Sequence, residues 1–252
     1  LADSYRNAIH LGARDCSMQR RHQKVIEEAP PPGIPTRHIV RIGERCAEAC
    51  RRINYRGAGT FEFLYENGEF YFIEMNTRIQ VEHPVTEMIS GVDIVQEQIR
   101  VATGEKLRFR QRDIELRGHA IECRINAEDP FRGFLPSTGR LVRFVPPAQD
   151  LHQGEPATGL GVRVDTGVLD GGEIPMYYDS MIAKLIVHGK DRADAIARMR
   201  EALNGFVIKG VQSNIPFQAA LLAHPDFVSG NFNTGFIAEH YAHGFRAEDV
   251  PH

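Results

Sequence analysis

The stretch TFEFLYENGEFYFIEMN, residues 60–76, predicts a β-hairpin, because two runs of alternating aromatic and polar residues flank an Asn-Gly pair. Successive side chains on a strand point to opposite faces, so the loop length decides whether Glu62 and Glu74 meet. A two-residue loop, Asn67-Gly68, would place the two acids on opposite faces. A three-residue loop that ends at a left-handed Gly68 places them on one face, and glycine in the third position favours it. We therefore predict the three-residue loop.

This loop predicts two unlike faces of the hairpin. The apolar face is expected to consist of Phe61, Phe63, Tyr71, Ile73 and Met75. The opposite face is expected to carry Glu62, Glu74 and Asn76, with Leu64 beside them. Two carboxylates and an amide are oxygen ligands that suit Mg²⁺. The same alternation is also typical of the solvated face of a half-exposed sheet, and the spacing alone leaves both interpretations open.

The composition is that of a globular protein with one large or two modest domains: of 252 residues, 42% are hydrophobic and 25% charged, with a net charge of −3. The sequence contains no apolar run long enough to cross a membrane, so we expect no membrane partner. The near-neutral charge gives no reason to expect nucleic acid. Four scattered cysteines indicate a reducing compartment, cytoplasmic or, in a eukaryote, the mitochondrial matrix. The chain begins with Leu, and we expect it to lack a signal peptide and to be part of a longer protein.

Patterns on either side of the hairpin predict an α+β fold. Strands are expected around a turn at 3–7, and helical spacing predicts helices over 36–54 with Thr36 as N-cap, 82–90, 92–103, 191–205 and 214–224. The composition shifts to charged residues over 104–117, which indicates a boundary near residue 112. The predicted domains are 1–111, an antiparallel sheet with helices, and 112–252, a smaller domain that also contains a sheet.

Charged residues outside the hairpin offer contacts for anions. The basic run MQRRHQK, residues 18–24, is typical of a solvated face, but three of its side chains could also contact phosphate: Gln19, His22 and Lys24. Arg78 could bind a carboxylate or bicarbonate through its bidentate fork. A carboxylate across from it, Glu82, could act as a general base. For Arg124, a structural ion pair and a functional role are both open.

Together these residues resemble biotin carboxylase, the ATP-grasp component of the biotin-dependent carboxylases. The resemblance runs over essentially the whole chain, and its most specific motif is EMNTRIQVEHPVTE, residues 74–87. It implies that 1–111 is the C-terminal part of an ATP-grasp domain and that 112–252 is the biotin carboxylase C-terminal domain. The family's N-terminal domain and glycine-rich lid have no counterpart in these residues. We therefore expect this fragment alone to be inactive.

The resemblance implies a two-step reaction. MgATP, or MnATP, and bicarbonate give carboxyphosphate, and its CO₂ is transferred to the N1 nitrogen of biotin, which is a carrier-bound substrate. The implied partners are a biotin carboxyl carrier protein or domain, a carboxyltransferase subunit or domain, and further copies of the chain in a homodimer or larger complex. The motifs do not distinguish among acetyl-CoA, propionyl-CoA and pyruvate as the final acceptor.

The same resemblance implies a role for each matching position. The metal ligands would be Glu62, Glu74 and Asn76. Nucleotide contacts would come from Gln19, His22, Glu62 and Leu64. Bicarbonate would be bound by Lys24, Arg78, Gln80 and the backbone of Val81. The catalytic residues would be Arg78, Glu82 as the base that deprotonates bicarbonate, and Arg124, which would bind biotin and stabilise its enolate. We expect Arg124 to face Arg78 and Glu82 across a shared cleft.

Two other functions remain open from the sequence. A different ATP-grasp ligase, for example one that makes an acyl or carbamoyl phosphate, would keep the three metal ligands but would not need Glu82 or Arg124. A non-catalytic fragment that only mediates dimerisation or serves as a scaffold would need none of these residues.

Overall fold

The computed structural model describes residues 1–151 and 159–251. Their strands are β1 (Asp15–Arg20), β2 (Gln23–Ala29), β3 (Thr60–Glu66), β4 (Glu69–Asn76), β5 (His119–Asn126), β6 (Glu128–Asp129), β7 (Leu135–Pro136), β8 (Gly139–Arg140), β9 (Arg143–Val145), β10 (Gly161–Thr166), β11 (Glu173–Ile174), β12 (Met181–Gly189) and β13 (Val207–Lys209). Their α-helices are α1 (Thr36–Arg52), α2 (His83–Ser90), α3 (Ile94–Ala102), α4 (Arg192–Asn204), α5 (Ile215–Ala223), α6 (Pro225–Ser229) and α7 (Phe236–His240). The predicted α+β class is confirmed. In the described ranges no helix combines the length and the apolar character needed to cross a membrane.

Contacts divide these residues into two compact units. The first contains Leu1–Arg14 and Ala29–Arg117. The second contains Asp15–Glu28 together with the described residues from 118 onward. Strand β1 and all of β2 except its last residue, Ala29, therefore belong to the second unit, although they lie early in the chain. The domain boundary near residue 112 stays a prediction.

A five-stranded sheet forms the centre of the second unit, in the order β1-β2-β5-β12-β10. Its middle strands β5 and β12 pair antiparallel and are apolar over most of their length. Ile121, Cys123, Ile125 and Leu185 are completely buried in this core, and α4 packs against the same two strands. The apolar content of β5 and β12 thus reflects burial in the middle of the unit.

The β1–β2 hairpin corrects the prediction for the first 29 residues. Strands do not flank the turn at 3–7, where the backbone forms only an isolated bridge between Ala2 and Ala8. They flank a two-residue loop, Arg21-His22, in which both residues have positive φ, 49° and 64°. This backbone suits the right-handed twist of a hairpin, and histidine is one of the few side chains enriched there.

The helices of the first unit agree with their sequence patterns. Helix α1 buries Ile39, Gly43 and Ala47 along one face, as its spacing predicted. Its N-cap is Pro35, so Thr36 is the first helical residue and the prediction of Thr36 as N-cap is wrong. Each of the five predicted helices begins and ends within two residues of the predicted limits.

The β3–β4 hairpin differs from its prediction at the turn. Glu66 pairs with Glu69, and Asn67 and Gly68 both have positive φ, 51° and 85°. The loop therefore has two residues, and the predicted three-residue loop is wrong. Gly68 is left-handed, as expected.

A bulge inside β4 nevertheless brings the two acids together. Phe63 pairs with Phe72, whereas the preceding residue Glu62 pairs with Glu74, so that Ile73 is an extra residue on its strand. The extra residue exchanges the faces of the strand beyond it, as an odd loop would have done.

The bulge also changes the apolar face. Aromatic rings line one side of the hairpin, with centroids 4.8–6.2 Å apart, and belong to Phe61, Phe63, Tyr65, Phe70 and Phe72. Tyr71 pairs with Leu64 and lies on the carboxylate side, and Ile73 is the bulged residue. The prediction that Tyr71 and Ile73 belong to a common apolar face is therefore wrong.

Candidate active site

Three oxygen-bearing side chains converge on the carboxylate side of the β3–β4 hairpin. Glu62 and Glu74 are directly opposite each other. The Asn76 amide lies between them, and its Nδ2 donates to Glu62 Oε1 at 3.1 Å and to Glu74 Oε1 at 3.3 Å. Facing carboxylates repel, and the amide offsets that repulsion. A half-turn of the amide would present Oδ1 instead, so the three residues fit a divalent cation with oxygen ligands.

A chain of hydrogen bonds fixes the orientation of the Glu62 carboxylate. Gln80 is buried, and its Nε2 donates to Glu62 Oε1 at 2.7 Å. The other end of the same amide, Oε1, accepts from Arg14 Nη2 at 2.7 Å. Arg14 also donates to the hydroxyls of Thr60 and Thr86. Sequence reasoning missed Arg14, because nothing local connects it to a residue 66 positions away.

The connection from β4 to α2 carries the residues assigned to bicarbonate and proton transfer. Arg78 is exposed, and its Nη1 donates to the carbonyl of Ile79 at 3.0 Å. Val81 is half-buried, and Glu82 is only 1% exposed at the N-cap position of α2. A buried acid and an exposed arginine four residues apart on this connection suit a general base and an anion contact.

Leu64 lies on the same face of the β3–β4 hairpin as Glu62 and Glu74. It is 54% exposed opposite Tyr71. The two apolar side chains beside the carboxylate pair could contact the flat ring of a nucleotide.

The β1–β2 hairpin gathers the three residues of the basic run. Gln19 pairs with Lys24 across the ladder, and His22 is exposed in the turn between them. The side chain of Gln19 donates through Nε2 to the carbonyl of Cys16 at 2.7 Å, where the strand is irregular. The hairpin therefore places these three predicted contacts next to one another.

Lys24 and Arg124 line one cleft in the second unit, together with Arg20 and Asn126. Arg20 is 3.7 Å from Glu128, and its guanidinium lies 4.0 Å from the centre of the Phe134 ring. Burial lowers the pKa of Arg20, although Glu128 opposes that shift. The cleft is lined by these three cationic side chains and one carboxylate, Glu128, so positive charge is in excess and favours an anionic ligand.

Arg124 is held by an acid of the neighbouring strand. Its Nε donates to Glu27 Oε1 at 2.6 Å, and its Nη2 lies 2.5 Å from the same oxygen. The structural ion pair that the sequence left open is therefore present, and Arg124 lines the cleft as well. Each unit thus carries its own group of site residues, and a cleft shared by Arg124, Arg78 and Glu82 stays a prediction.

Two family models match the chain. Residues 1–110 match "Carbamoyl-phosphate synthase L chain, ATP binding domain", and residues 122–239 match "Biotin carboxylase C-terminal domain". Biotin carboxylase of Allochromatium vinosum is 60% identical over 237 residues, which cover 94% of this chain and 50% of that protein. The propionyl-CoA carboxylase alpha chain of Ruegeria pomeroyi is 50% identical, with 100% of this chain and 38% of that protein covered.

Solved structures agree with these matches. The biotin carboxylase domain dimer of the 2-oxoglutarate carboxylase from Hydrogenobacter thermophilus, in complex with MgADP, ADP and bicarbonate, has a TM-score of 0.89 and 49% sequence identity. The match covers 95% of this chain and 51% of that one. The chain spans about half the length of the curated relatives it matches.

Proposed function

The chain belongs to the biotin carboxylase family, and from this premise we propose that it forms part of an ATP-dependent ligase that carboxylates biotin on a carrier protein. The observation that supports this most is the pairing of two features in one chain. One is an oxygen-ligand cluster, Glu62, Glu74 and Asn76, and the other is a cationic cleft that contains Lys24 and Arg124.

The oxygen-ligand cluster would hold Mg²⁺. When bound, the ion neutralises charge on the phosphate oxygens of ATP. The relative from Hydrogenobacter thermophilus binds MgADP, which supports the same class of ligand here. Contacts to the nucleotide would come from Gln19, His22, Glu62 and Leu64. Gln80 would keep Glu62 oriented through its 2.7 Å hydrogen bond, since Arg14 fixes the other end of the amide.

Bicarbonate would be held by Lys24, Arg78, Gln80 and the backbone of Val81. Glu82 would accept its proton, because carbonate attacks the terminal phosphate of ATP far better than bicarbonate does. Attack on the terminal phosphate releases ADP and gives carboxyphosphate. Carboxyphosphate then splits into CO₂ and phosphate, the phosphate takes the N1 proton of biotin, and CO₂ bonds to that nitrogen.

Arg124 would stabilise the enolate oxygen of the biotin ureido group. Negative charge develops on that oxygen when the nitrogen is deprotonated, and a fixed cation in a desolvated site lowers the barrier. The partners would be a biotin carboxyl carrier protein or domain and a carboxyltransferase, in a homodimer or larger complex in the cytoplasm. The dimer of the Hydrogenobacter thermophilus relative supports the homodimer.

Arg124→Ser tests this assignment in a full-length biotin carboxylase that contains these 252 residues. Biotin carboxylation and bicarbonate-dependent ATP hydrolysis are measured in parallel. We expect carboxylation to fall much further than ATP hydrolysis, and Arg124→Lys to rescue it only in part because the planar fork is lost. An equal loss of both activities would contradict the enolate role.

A further inference from the structure

Arg124 has a buried partner to which none of the roles above refers. Glu27 lies in β2 with 0% of its surface exposed, and one of its oxygens is within 2.6 Å of both Nε and Nη2 of Arg124. We propose that Glu27 is a positioning residue for Arg124, one that holds the guanidinium in the orientation required by the biotin enolate. This inference rests on the proposed function.

Side chains at the start of α5 and within it hold the backbone around this ion pair. Gln218 of α5 is completely buried, and its Nε2 donates to the carbonyls of Arg124 at 2.9 Å and Val25 at 3.1 Å. Asn214 donates to the same Arg124 carbonyl at 2.9 Å. The Gln218 side chain therefore links the backbones of the strands that carry Glu27 and Arg124, in addition to the ion pair.

An arginine needs such a partner to act on one atom of a substrate. Its long side chain has many rotamers, and a fixed carboxylate selects one of them without reaching the substrate itself. Glu27 also offsets the mutual repulsion of the cations around the cleft, Arg20, Lys24 and Arg124. Misplacing a catalytic group by about 1 Å costs roughly 10²-fold in rate.

The next residue in β2 provides a matched control. Glu28 is 1% exposed and also binds an arginine, with Arg192 Nε 2.7 Å and His119 Nε2 2.6 Å from its Oε2. Adjacent residues of a strand point to opposite faces, so Glu28 has the same chemistry but a different set of contacts. If the ion pair of Glu27 served only to stabilise the fold, substitutions of Glu27 and Glu28 should have the same effect on the two activities.

The experiment compares Glu27→Gln and Glu28→Gln in a full-length biotin carboxylase that contains these residues. We expect Glu27→Gln to lower biotin carboxylation by roughly 10²-fold while bicarbonate-dependent ATP hydrolysis is retained. Glu28→Gln should lower the unfolding midpoint without changing the ratio of the two activities. In the Arg124→Ser background, Glu27→Gln should have no further effect on carboxylation, because the residue it acts through is gone.

Three outcomes would overturn the proposal: equal loss of both activities in Glu27→Gln, the same change of ratio in Glu28→Gln, or a full additional loss in the double variant. If Glu27→Gln does not fold, Glu27→Asp keeps the charge but withdraws the carboxylate by one methylene, and the same selective loss is expected. A failure of the proposed function is distinguishable, since Arg124→Ser alone would then lower both activities equally.

Discussion

Glu62 and Glu74 lie directly opposite each other across the β3–β4 ladder, although the two-residue turn by itself would have placed them on opposite faces. The bulge at Ile73 shifts the register by one residue, and a shift of one residue exchanges the faces of a strand. The geometry of the oxygen-ligand cluster therefore depends on an irregularity inside β4.

Glu74→Gln should separate charge repulsion from cation binding. Without a divalent cation, we expect the variant to gain about 0.2–1 kcal/mol in unfolding free energy, because two facing carboxylates no longer repel. With Mg²⁺, the wild-type chain should be stabilised by linkage and the variant should not. Urea unfolding with MgCl₂, compared with NaCl at equal ionic strength, measures both effects.

The same hairpin supplies the control for that experiment. Glu66 and Glu69 also face each other, at the turn, outside the cluster of Glu62, Glu74 and Asn76. Glu69→Gln should relieve repulsion in the same way but leave the response to Mg²⁺ unchanged. A Mg²⁺ response that survives in Glu74→Gln would remove the metal assignment.

Gly68→Ala should destabilise the chain by about 1 kcal/mol, because an alanine at positive φ brings its Cβ close to the backbone. Apart from Gly68 and its two chain neighbours, the nearest atom to such a Cβ is His38 Cε1 at 3.9 Å, so the cost arises in the local backbone and not from contacts with other residues. Asn67→Gly is the control and should cost little, since φ is positive there too. Chemical denaturation measures both, and unchanged stability of Gly68→Ala would contradict the strain argument.

Glu82→Gln, in a full-length biotin carboxylase that contains these residues, should lower bicarbonate-dependent ATP cleavage by about 10²- to 10⁴-fold, because a positioned base is removed. ATP binding should persist, since Glu82 is not among the proposed nucleotide contacts. Steady-state kinetics and calorimetric titration with ATP test the two parts.

Glu87→Gln is the comparison on the same helix. Glu87 is also buried, and its carboxylate accepts from the backbone of Ile94 at 2.9 Å. Its loss should lower stability rather than remove a base. Equal kinetic effects at Glu82 and Glu87 would argue against a specific role for Glu82.

Asp15→Asn should make the stability of the chain less dependent on pH. Burial raises the pKa of the Asp15 carboxyl to about 6, and the nearby charge of Glu28 adds to the shift although Arg192 opposes it. A raised folded-state pKa means that the stabilising contribution is complete below the ordinary pKa and is lost as pH rises through about 6.

We therefore expect the variant to gain on the order of 2 kcal/mol relative to the wild type between pH 4 and pH 7.5. Unfolding free energies of the two proteins, measured across that range, give the difference directly. Other titrating groups cancel in this comparison, and a difference that does not vary with pH would show that Asp15 is ionised normally.

The sequence by itself determined the helices, the strands of the β3–β4 hairpin and the family. The limits of the five predicted helices agree with the structure within two residues. Their apolar spacing is a local property of the sequence, and the same apolar faces pack in the fold. The Asn-Gly turn and the alternation of Glu62 with Phe61 and Phe63 are local in the same sense. The resemblance rested on residues within single motifs, which is why it could be recognised before any contact was known.

Only the tertiary structure decided how separate segments combine. The bulge at Ile73 depends on the pairing of two whole strands, and an isoleucine at that position does not indicate a bulge. Arg14 reaches Gln80 across 66 positions, and Arg124 reaches Glu27 across 97. Such contacts form because a polar group that is buried without a partner costs free energy. Which partner it meets depends on the segments that the fold brings together, and the local sequence does not contain that information.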